Sequence, residues 1–399
     1  MSEQTVTLKD VLAARETVGA FARHTDLLPA PVSVFGENSG IFVKAENLQR
    51  TGSFKVRGAY NRMAALTRGE RAAGVICASA GNHAQGVALA ARQLGISAYV
   101  VMPSGAPISK AEATRAYGAQ IILSGESYDD AYAAALDLQR ERGLFFVHAF
   151  EDARVIAGQG TIGLEILHDR PDVKTVIIPI GGGGLAAGTA LALKESCPGV
   201  RVIGAEPENA ASMRASFAFG APRETAPRRT IADGVAVAVP GPTTYALCRR
   251  YLDGIVTVSE SEIASAVLTM LERMKMVAEG AGAVAMAALM FREELRNAEG
   301  PTVAVVSGGN IDVNVLGRII DRGLVNSGRR TRLRTAVTDR PGHLSALLDL
   351  LAKQGANILS VSHDRLAGGL EFGQSAVEIE METRGAEHII AVENAIKEK

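Results

Sequence analysis

Val176-Ile177-Ile178-Pro179-Ile180-Gly181-Gly182-Gly183-Gly184-Leu185 joins an apolar run of strand character to four glycines, and a helical pattern follows over residues 185–194. Glycines at such a turn let backbone N–H groups approach a phosphate closely, and the following helix adds the positive end of its dipole. The segment therefore predicts a strand, a turn and a helix. The turn can bind phosphate, although glycine clusters also mark plain tight turns.

The same order of strand and helix recurs along the chain. It is found at residues 74–94 and 119–142, and further strands are expected at residues 98–102, 201–205 and 302–306. Alternating strands and helices with nearly continuous apolar strands predict an α/β fold, in which parallel sheets are covered by helices on both faces. Ligands bind beyond the carboxyl ends of the strands in such sheets, and several candidate site loops begin there.

A polar, glycine-containing segment near residue 325 has the composition of a linker. The residues after it show a strand, a helix, two strands and a helix. This βαββαβ-like series, with its last strand weak or absent, indicates a small α+β domain. We expect a catalytic domain at residues 1–325 with a smaller subdomain inserted at about residues 55–150, a linker at 326–330, and the small domain at 331–399.

The composition is that of a globular protein that binds small molecules. The 399 residues include 42 Lys+Arg and 43 Asp+Glu, so no global field would draw the chain to nucleic acid or anionic lipid. Four arginines among residues 329–334 lack interleaved aromatic residues, and we interpret them as solvated linker residues. Three cysteines without CxxC spacing and an N-terminus without a signal-peptide core predict a cytoplasmic protein.

Lys55 lies in the segment Ser53-Phe54-Lys55-Val56-Arg57-Gly58. A lysine that forms a Schiff base must spend time as a neutral amine, and its apolar neighbours Phe54 and Val56 could lower its pKa. Most lysines are solvated surface charges, so the interpretation depends on two other segments, Ser79-Ala80-Gly81-Asn82-His83 and Ser307-Gly308-Gly309-Asn310. Together with the four glycines, these segments have the parts of a pyridoxal phosphate site.

Each of these segments is open to another interpretation. The turn at residues 79–83 could hold a carboxylate or a ring hydroxyl, but Ser79 or Asn82 could instead cap the next helix, and Ser307 could also be a cap. The glycine turn is not a Walker loop, since no Gly-Lys-Ser/Thr follows. It also departs from GxGxxG, although Glu206, 22 residues beyond Gly184, keeps a dinucleotide site open.

Four ordered motifs, at residues 53–59, 79–86, 181–185 and 307–310, resemble the threonine ammonia-lyase group of the fold type II (tryptophan-synthase-β-like) pyridoxal phosphate enzymes. The resemblance covers about residues 5–324. It implies that Lys55 binds pyridoxal 5'-phosphate covalently. The implied cofactor contacts are Phe54, Lys55, Asn82, Gly181, Gly182, Gly183, Gly184, Leu185, Glu279 and Ser307. The candidates for the substrate carboxylate are Ser79, Ala80, Gly81, Asn82 and His83.

The resemblance implies elimination of water from L-threonine to give 2-oxobutanoate and ammonia, with L-serine as a second substrate. A neutral Ser307 hydroxyl facing the ring nitrogen favours elimination over long-lived carbanion chemistry. Ala80 stands where related serine racemases carry a serine base, so racemisation is not expected as the main activity. Two alternatives stay open: a lyase for another β-hydroxy amino acid, such as 3-hydroxyaspartate, and a non-catalytic amino-acid sensor.

The C-terminal segment resembles an ACT domain, which implies an amino-acid effector and pairing into a homodimer or homotetramer. Isoleucine or valine as effector would imply feedback in isoleucine biosynthesis, whereas a nucleotide or no effector would suit a catabolic role. The candidate effector residues are Asp339, Arg340, Pro341, Gly342, Asn357 and Ile358. Glu206, the Ala210 carbonyl and Ser212 overlay a cation site of some relatives, but Ser212 replaces an acidic ligand and leaves too few hard oxygen ligands.

Overall fold

A computed structural model describes residues 6–37 and 39–398 of the chain. The chain forms two compact units, Met1–Asp312 and Val313–Lys399. The strands of the first unit are β1 (Leu27–Pro29), β2 (Ile41–Ala45), β3 (Val75–Ala78), β4 (Ala98–Met102), β5 (Gln120–Leu123), β6 (Phe145–Phe146), β7 (Thr175–Pro179), β8 (Arg201–Pro207), β9 (Gly254–Val258) and β10 (Thr302–Val306).

The helices of the first unit are α1 (Leu8–Gly19), α2 (Val32–Phe35), α3 (Lys55–Ala64), α4 (Arg68–Ala73), α5 (Asn82–Leu94), α6 (Ile108–Ala116), α7 (Tyr128–Arg142), α8 (Ala153–Asp169), α9 (Gly184–Ser196), α10 (Ser212–Phe219), α11 (Pro242–Tyr251), α12 (Glu260–Thr269), α13 (Gly280–Phe291) and α14 (Glu293–Arg296). Short 3₁₀ turns lie at Glu46–Leu48, Glu208–Ala210 and Asp233–Val235, and one π-helical turn lies at Met270–Met274.

Two sheets organise the first unit. The large sheet has the order β1-β2-β10-β7-β8-β9, and only β1 runs antiparallel to its neighbour. The small sheet has the order β5-β4-β3-β6 and is parallel throughout. Every residue of β3, β7 and β10 is buried, as expected of strands that helices cover on both faces. The predicted α/β fold with parallel sheets is thereby confirmed.

Three of the predicted site segments begin where a buried parallel strand ends. Ser79 follows β3, the glycine turn follows β7 and Ser307 follows β10. Since β7 and β10 are parallel neighbours, their carboxyl ends share one edge of the large sheet. The topology thus gathers these turns at the ligand-binding edges of the two sheets.

Helix α8 fixes the distance between the helix that begins with Lys55 and the helix that follows the glycine turn. It packs against both α3 and α9. A Cβ atom on Gly158 would lie 2.7 Å from the Gly58 Cα, and one on Gly188 would lie 2.1 Å from the Ile156 carbonyl oxygen. Neither contact leaves room for a side chain, so glycine at these positions lets the three helices pack backbone against backbone.

The second unit consists of α15 (Val313–Asn326), β11 (Arg330–Thr338), α16 (His343–Lys353), β12 (Asn357–Asp364), β13 (Gln374–Glu382) and α17 (Ala386–Lys397). Its strands form an antiparallel sheet in the order β11-β13-β12. The apolar side chains of β13 pack with those of α16 and α17 in a small core that includes Leu351, Ile379 and Val392. This is the predicted α+β series without a strand after the last helix.

The compact units divide one helix earlier than the sequence suggests, because α15 belongs to the second unit. Residues 327–329 form the turn between α15 and β11, and Arg330 is already the first residue of that strand. The arginines that we interpreted as linker residues lie mostly in β11, where Arg330 contacts Glu380 at 2.7 Å and Arg334 contacts Glu378 at 2.6 Å. These arginines occupy every second position of β11 because side chains on one face of the strand pair with glutamates of β13.

In the described part of the chain, no helix combines the length and the apolar character needed to cross a membrane. Cys77, Cys197 and Cys248 are free thiols.

Candidate active site

Lys55 is the first residue of α3, and its amine lies in the protein interior although part of the residue remains exposed. The Nζ atom donates a hydrogen bond of 2.9 Å to the Ala149 carbonyl and lies 5.2 Å from the centre of the Phe54 ring. Burial lowers the pKa of Lys55 to about 8, although the nearby Glu279 carboxylate opposes this shift. The amine therefore has a sizeable neutral fraction near neutral pH, as a nucleophilic lysine requires.

The segment before Lys55 runs antiparallel to the segment that contains Ser307. Ser53 and Gly308 form an isolated β-bridge, and the Phe54 N–H donates to the Ser307 carbonyl at 3.2 Å. The Ser307 side chain is buried, with its Oγ 3.4 Å from the Ala281 carbonyl. This pairing brings Phe54, Lys55 and Ser307 close together.

The glycine turn is enclosed so tightly that side chains would not fit. A Cβ atom on Gly182 would lie 2.3 Å from the Phe150 ring, and one on Gly181 would lie 2.9 Å from the Val235 Cα. Gly183 adopts a φ of +92°, which disfavours any residue with a Cβ. Because α9 begins at Gly184, the first N–H groups of the helix have no partner within it. The turn has the close backbone approach and the free donors that a phosphate needs.

Thr244 orients this turn. Its hydroxyl donates to the Gly182 carbonyl at 2.7 Å, and the carboxylate of Glu151 accepts the N–H groups of Thr243 and Thr244 at 2.7 and 3.1 Å. A trans peptide directs its C=O and N–H in opposite directions, so the Gly183 N–H points away from Thr244. No motif spacing connects Phe150, Glu151 or Thr244 with the glycines, and sequence reasoning missed all three.

A short chain of contacts links Lys55 to the glycine turn. The carbonyl that accepts the Lys55 hydrogen bond belongs to Ala149, and the next residue is Phe150, whose ring covers Gly182. The lysine amine and the glycine turn therefore contact two consecutive residues, Ala149 and Phe150.

Asn82, Glu279 and Asn310 form a hydrogen-bonded group across the cleft between the two sheets. The Asn82 amide donates to the Glu279 carboxylate, and the Asn310 amide donates to the Asn82 side-chain oxygen at 2.7 Å. Burial raises the pKa of Glu279 to about 7, and the negative charge of Asp233 adds to this rise. A Cβ atom on Gly308 would lie 2.2 Å from the Glu279 carboxylate. The sequence predicts Asn82 and Glu279 as cofactor contacts, whereas Asn310 lies in a predicted site segment without an assigned role.

The turn at residues 79–83 does not cap the next helix through its side chains. Gly81 occupies the N-cap position of α5, and the Ser79 hydroxyl accepts the Gly81 N–H at 3.2 Å. Asn82 is the first helical residue, so the N–H groups of the α5 first turn face this loop without helical partners. His83 is buried, with Nε2 2.8 Å from the Val147 carbonyl, and burial lowers its pKa to about 3. The imidazole is therefore neutral, while the turn retains free donors for a carboxylate.

Glu206, the one carboxylate among the cation candidates, is held by backbone hydrogen bonds. Both carboxylate oxygens of Glu206 accept backbone N–H groups at the start of α10, from Met213 at 2.9 Å and Arg214 at 2.8 Å. Burial raises the pKa of Glu206 to about 7. Ala210 and Ser212 are also buried. The described residues contain no group of three or more His, Cys, Asp or Glu side chains that could hold a metal ion.

The effector candidates fall into two groups at opposite ends of the three-stranded sheet. The turn at residues 339–342 follows Thr338, which pairs with Gln374, whereas Asn357 pairs with Glu382. Gln374 and Glu382 are eight positions apart along β13, which corresponds to about 27 Å. Ile358 packs against the core of the unit. Within one chain, the two groups therefore cannot contact the same amino acid.

Comparison with known proteins gives concordant matches. Residues 20–308 match the family described as pyridoxal-phosphate dependent enzyme. The chain is 50% identical over 394 residues to the L-threonine ammonia-lyase of Thermotoga maritima, which covers 98% of this chain and 97% of that relative. Among solved structures, the processed threonine deaminase isoform 2 of Solanum lycopersicum is 41% identical with a TM-score of 0.75, covering 79% of this chain and 86% of that one. Maize serine racemase is 33% identical with a TM-score of 0.74, covering 81% and 99%.

Proposed function

Because the chain belongs to the pyridoxal-phosphate dependent enzymes, and within them resembles the threonine ammonia-lyases over nearly its whole length, we propose that it converts L-threonine to 2-oxobutanoate and ammonia. The same site would convert L-serine to pyruvate, since one methyl group discriminates by only about 1–3 kcal/mol. The observation that supports this proposal most strongly is the contact of Lys55 with Ala149, beside the phenylalanine that covers the glycine turn.

The residues present fit pyridoxal 5'-phosphate. When bound, this cofactor withdraws electrons from the α-carbon of the substrate. Lys55 would hold the cofactor covalently and, once released by the substrate, would take the α-proton with its neutral amine. Backbone N–H groups from Gly181 to Leu185 would bind the phosphate, and Ser307 would face the ring nitrogen as a neutral hydroxyl.

Two further groups complete the proposed site. Asn82 would contact the ring hydroxyl while Glu279 holds the other end of its amide. The free N–H groups of the turn at residues 79–83 would bind the substrate carboxylate. Ala80 has no proton to exchange, which supports elimination over racemisation in a fold that is also found in serine racemase.

Steady-state kinetics of the purified holoenzyme test the assignment. We expect L-threonine to give 2-oxobutanoate and ammonia in equal amounts. L-Serine should be a poorer or comparable substrate. A higher kcat/KM for 3-hydroxyaspartate than for threonine would favour the alternative lyase. Lack of turnover with every β-hydroxy amino acid would instead favour a non-catalytic sensor.

Substituting Gly182 by alanine should weaken cofactor binding by about tenfold or more, because the new Cβ atom must displace the Phe150 ring and with it the turn. Titration of the apoenzyme with pyridoxal phosphate measures this effect. Gly199→Ala is the matched control, since its Cβ would have no neighbour within 4 Å and its backbone is unstrained. A Gly182→Ala protein with the wild-type dissociation constant would show that the turn does not hold the phosphate.

The rate at which the apoenzyme binds the cofactor covalently should rise with pH and level off above about pH 8. The pKa of Lys55 is lowered to about 8, so below that pH the neutral fraction of its amine falls about tenfold per pH unit. Stopped-flow absorbance measures the rate. The control is the reaction of the free cofactor with Nα-acetyllysine, whose side-chain amine has an ordinary pKa. A rate that keeps rising in parallel with Nα-acetyllysine beyond pH 9 would contradict a lowered pKa.

We further propose that the second unit is an ACT domain that gives allosteric control. Its effector candidates lie at opposite ends of one sheet, so a complete site would need a second copy of the unit, in a homodimer or homotetramer. An effector controls activity only if it binds two enzyme states with different affinity. Kinetics with and without isoleucine or valine test this proposal.

The cytoplasmic location expected from the sequence stays a prediction.

A further inference from the structure

An ion pair spans the mouth of the cleft between the two sheets. Lys110 lies on α6, which follows β4 of the small sheet, and its Nζ is 2.8 Å from the Asp233 carboxylate in the 3₁₀ turn Asp233–Val235. The Asp233 side chain is 61% exposed and the Lys110 side chain 18%. The Asp233 end of the pair is therefore open to solvent, whereas the Lys110 side chain is mostly covered.

Lys110 is rigidly connected to the turn that faces the substrate. We define the small-sheet lobe as residues 75–146. Within it, Ala111 packs against the core that contains Ala84 and Val87 of α5, and Ser79 donates its N–H to the Val101 carbonyl at 3.1 Å. Any movement of α6 as part of this lobe also carries the turn at residues 79–83.

Asp233 is connected just as closely to the cofactor side of the cleft. The backbone of Val235, two residues on, covers Gly181 of the glycine turn. A Cβ atom on Gly234 would lie 3.1 Å from the Ala281 Cβ and 3.9 Å from the Glu279 carboxylate. In agreement with this placement, Asp233 raises the pKa of Glu279 and Lys110 lowers it. The two ends of the ion pair thus belong to the two walls of the candidate site.

We propose that Lys110 and Asp233 are positioning residues whose ion pair holds the small-sheet lobe closed over the bound substrate. An ion pair with a solvent-exposed partner contributes little free energy, so this one can break and re-form in each turnover. Its loss leaves the reacting groups in place but weakens the closed state in which both walls contact the substrate. Substrate affinity therefore changes more than the chemical step. This inference rests on the proposed function, because closure is measured through turnover of threonine.

The experiment compares holoenzyme variants in L-threonine kinetics over a range of NaCl concentrations. Lys110→Ala and Asp233→Ala should each raise KM about two- to fivefold with little change in kcat. The wild-type KM should rise with salt, whereas the KM of either variant should not, since the screened pair is already absent. The charge-swapped double variant Lys110→Asp/Asp233→Lys should recover most of the wild-type KM.

Lys194→Ala is the matched control. Lys194 forms an equally short pair with Asp253, at 2.7 Å, and its side chain is 19% exposed, but the pair joins α9 to the residue before β9. Its KM and salt dependence should equal those of the wild type. If Lys110→Ala and Asp233→Ala behave like Lys194→Ala, the inference is overturned.

Acrylamide quenching of the cofactor fluorescence, without substrate, separates this inference from the proposed function. Quenching should be stronger in Lys110→Ala and Asp233→Ala than in the wild type and Lys194→Ala, because the cleft is more open. If the wild type does not convert threonine but the quenching difference is present, the proposed function fails and the closing role remains. Equal quenching in all four proteins contradicts the closing role whatever the substrate is.

Discussion

Replacing Lys55 by alanine should lower the turnover of L-threonine by about 10⁴-fold or more and abolish the absorbance of the lysine-bound cofactor. One side chain supplies both the covalent anchor and the base, and a positioned base alone contributes about 10²- to 10⁴-fold. The structure supports this dual role because the amine is buried, has a pKa of about 8 and contacts the segment that covers the glycine turn.

Lys55→Arg is the informative companion variant. Arginine retains the positive charge and much of the length, but it does not become neutral near physiological pH. It should therefore be as inactive as alanine, which would show that the neutral amine is required and not the charge. Full activity of Lys55→Ala would refute the assignment of the site.

Replacing Arg57 by methionine should lower the free energy of unfolding of the apoenzyme by about 3–5 kcal/mol, because it leaves the buried Glu46 carboxylate without its cationic partner and removes one of the two cations that contact Glu165. Arg57 is only 1% exposed, and its guanidinium donates to both oxygens of Glu46 and both oxygens of Glu165. Lys44, also fully buried, contacts Glu165 at 2.7 Å. The network joins α3, two residues after Lys55, to α8 and to the turn after β2.

Urea denaturation of apoenzyme variants measures this effect. Arg57→Lys keeps a charge but loses the two-pronged contact, so its stability should fall between those of the wild type and Arg57→Met. Arg140→Met is the control, since Arg140 pairs with Asp137 on an exposed face of α7, and its urea midpoint should not change measurably. A wild-type midpoint for Arg57→Met would show that the network does not stabilise the start of α3.

The elements of this site could be predicted from the sequence because each depends on local backbone chemistry. A buried parallel strand requires a continuous apolar run, and a turn that approaches a phosphate requires glycine, so the turn after Ile180 could be predicted from its own residues. Lys55 was singled out by its agreement with three other motifs. The antiparallel pairing of Ser53 with Gly308, which brings two of these motifs together, is a tertiary contact without a local signal.

The residues that were missed act through partners that are distant in the chain. Thr244 orients a carbonyl 62 residues before it, and Asp233 pairs with a lysine 123 residues before it. No periodicity or spacing relates such positions. The domain boundary differed for another reason, since the polar turn near residue 327 marks the end of α15 and does not reveal which unit that helix joins.

The central claim is that Lys55 and the glycine turn hold the same cofactor molecule. Borohydride reduction of the holoenzyme, followed by proteolysis and mass spectrometry, tests it directly because reduction makes the bond to the lysine permanent. We predict one labelled peptide, with the label on Lys55, and weaker labelling when Gly182→Ala is reduced at limiting cofactor. A label on any other lysine, or an unlabelled Lys55 in active enzyme, would contradict the account.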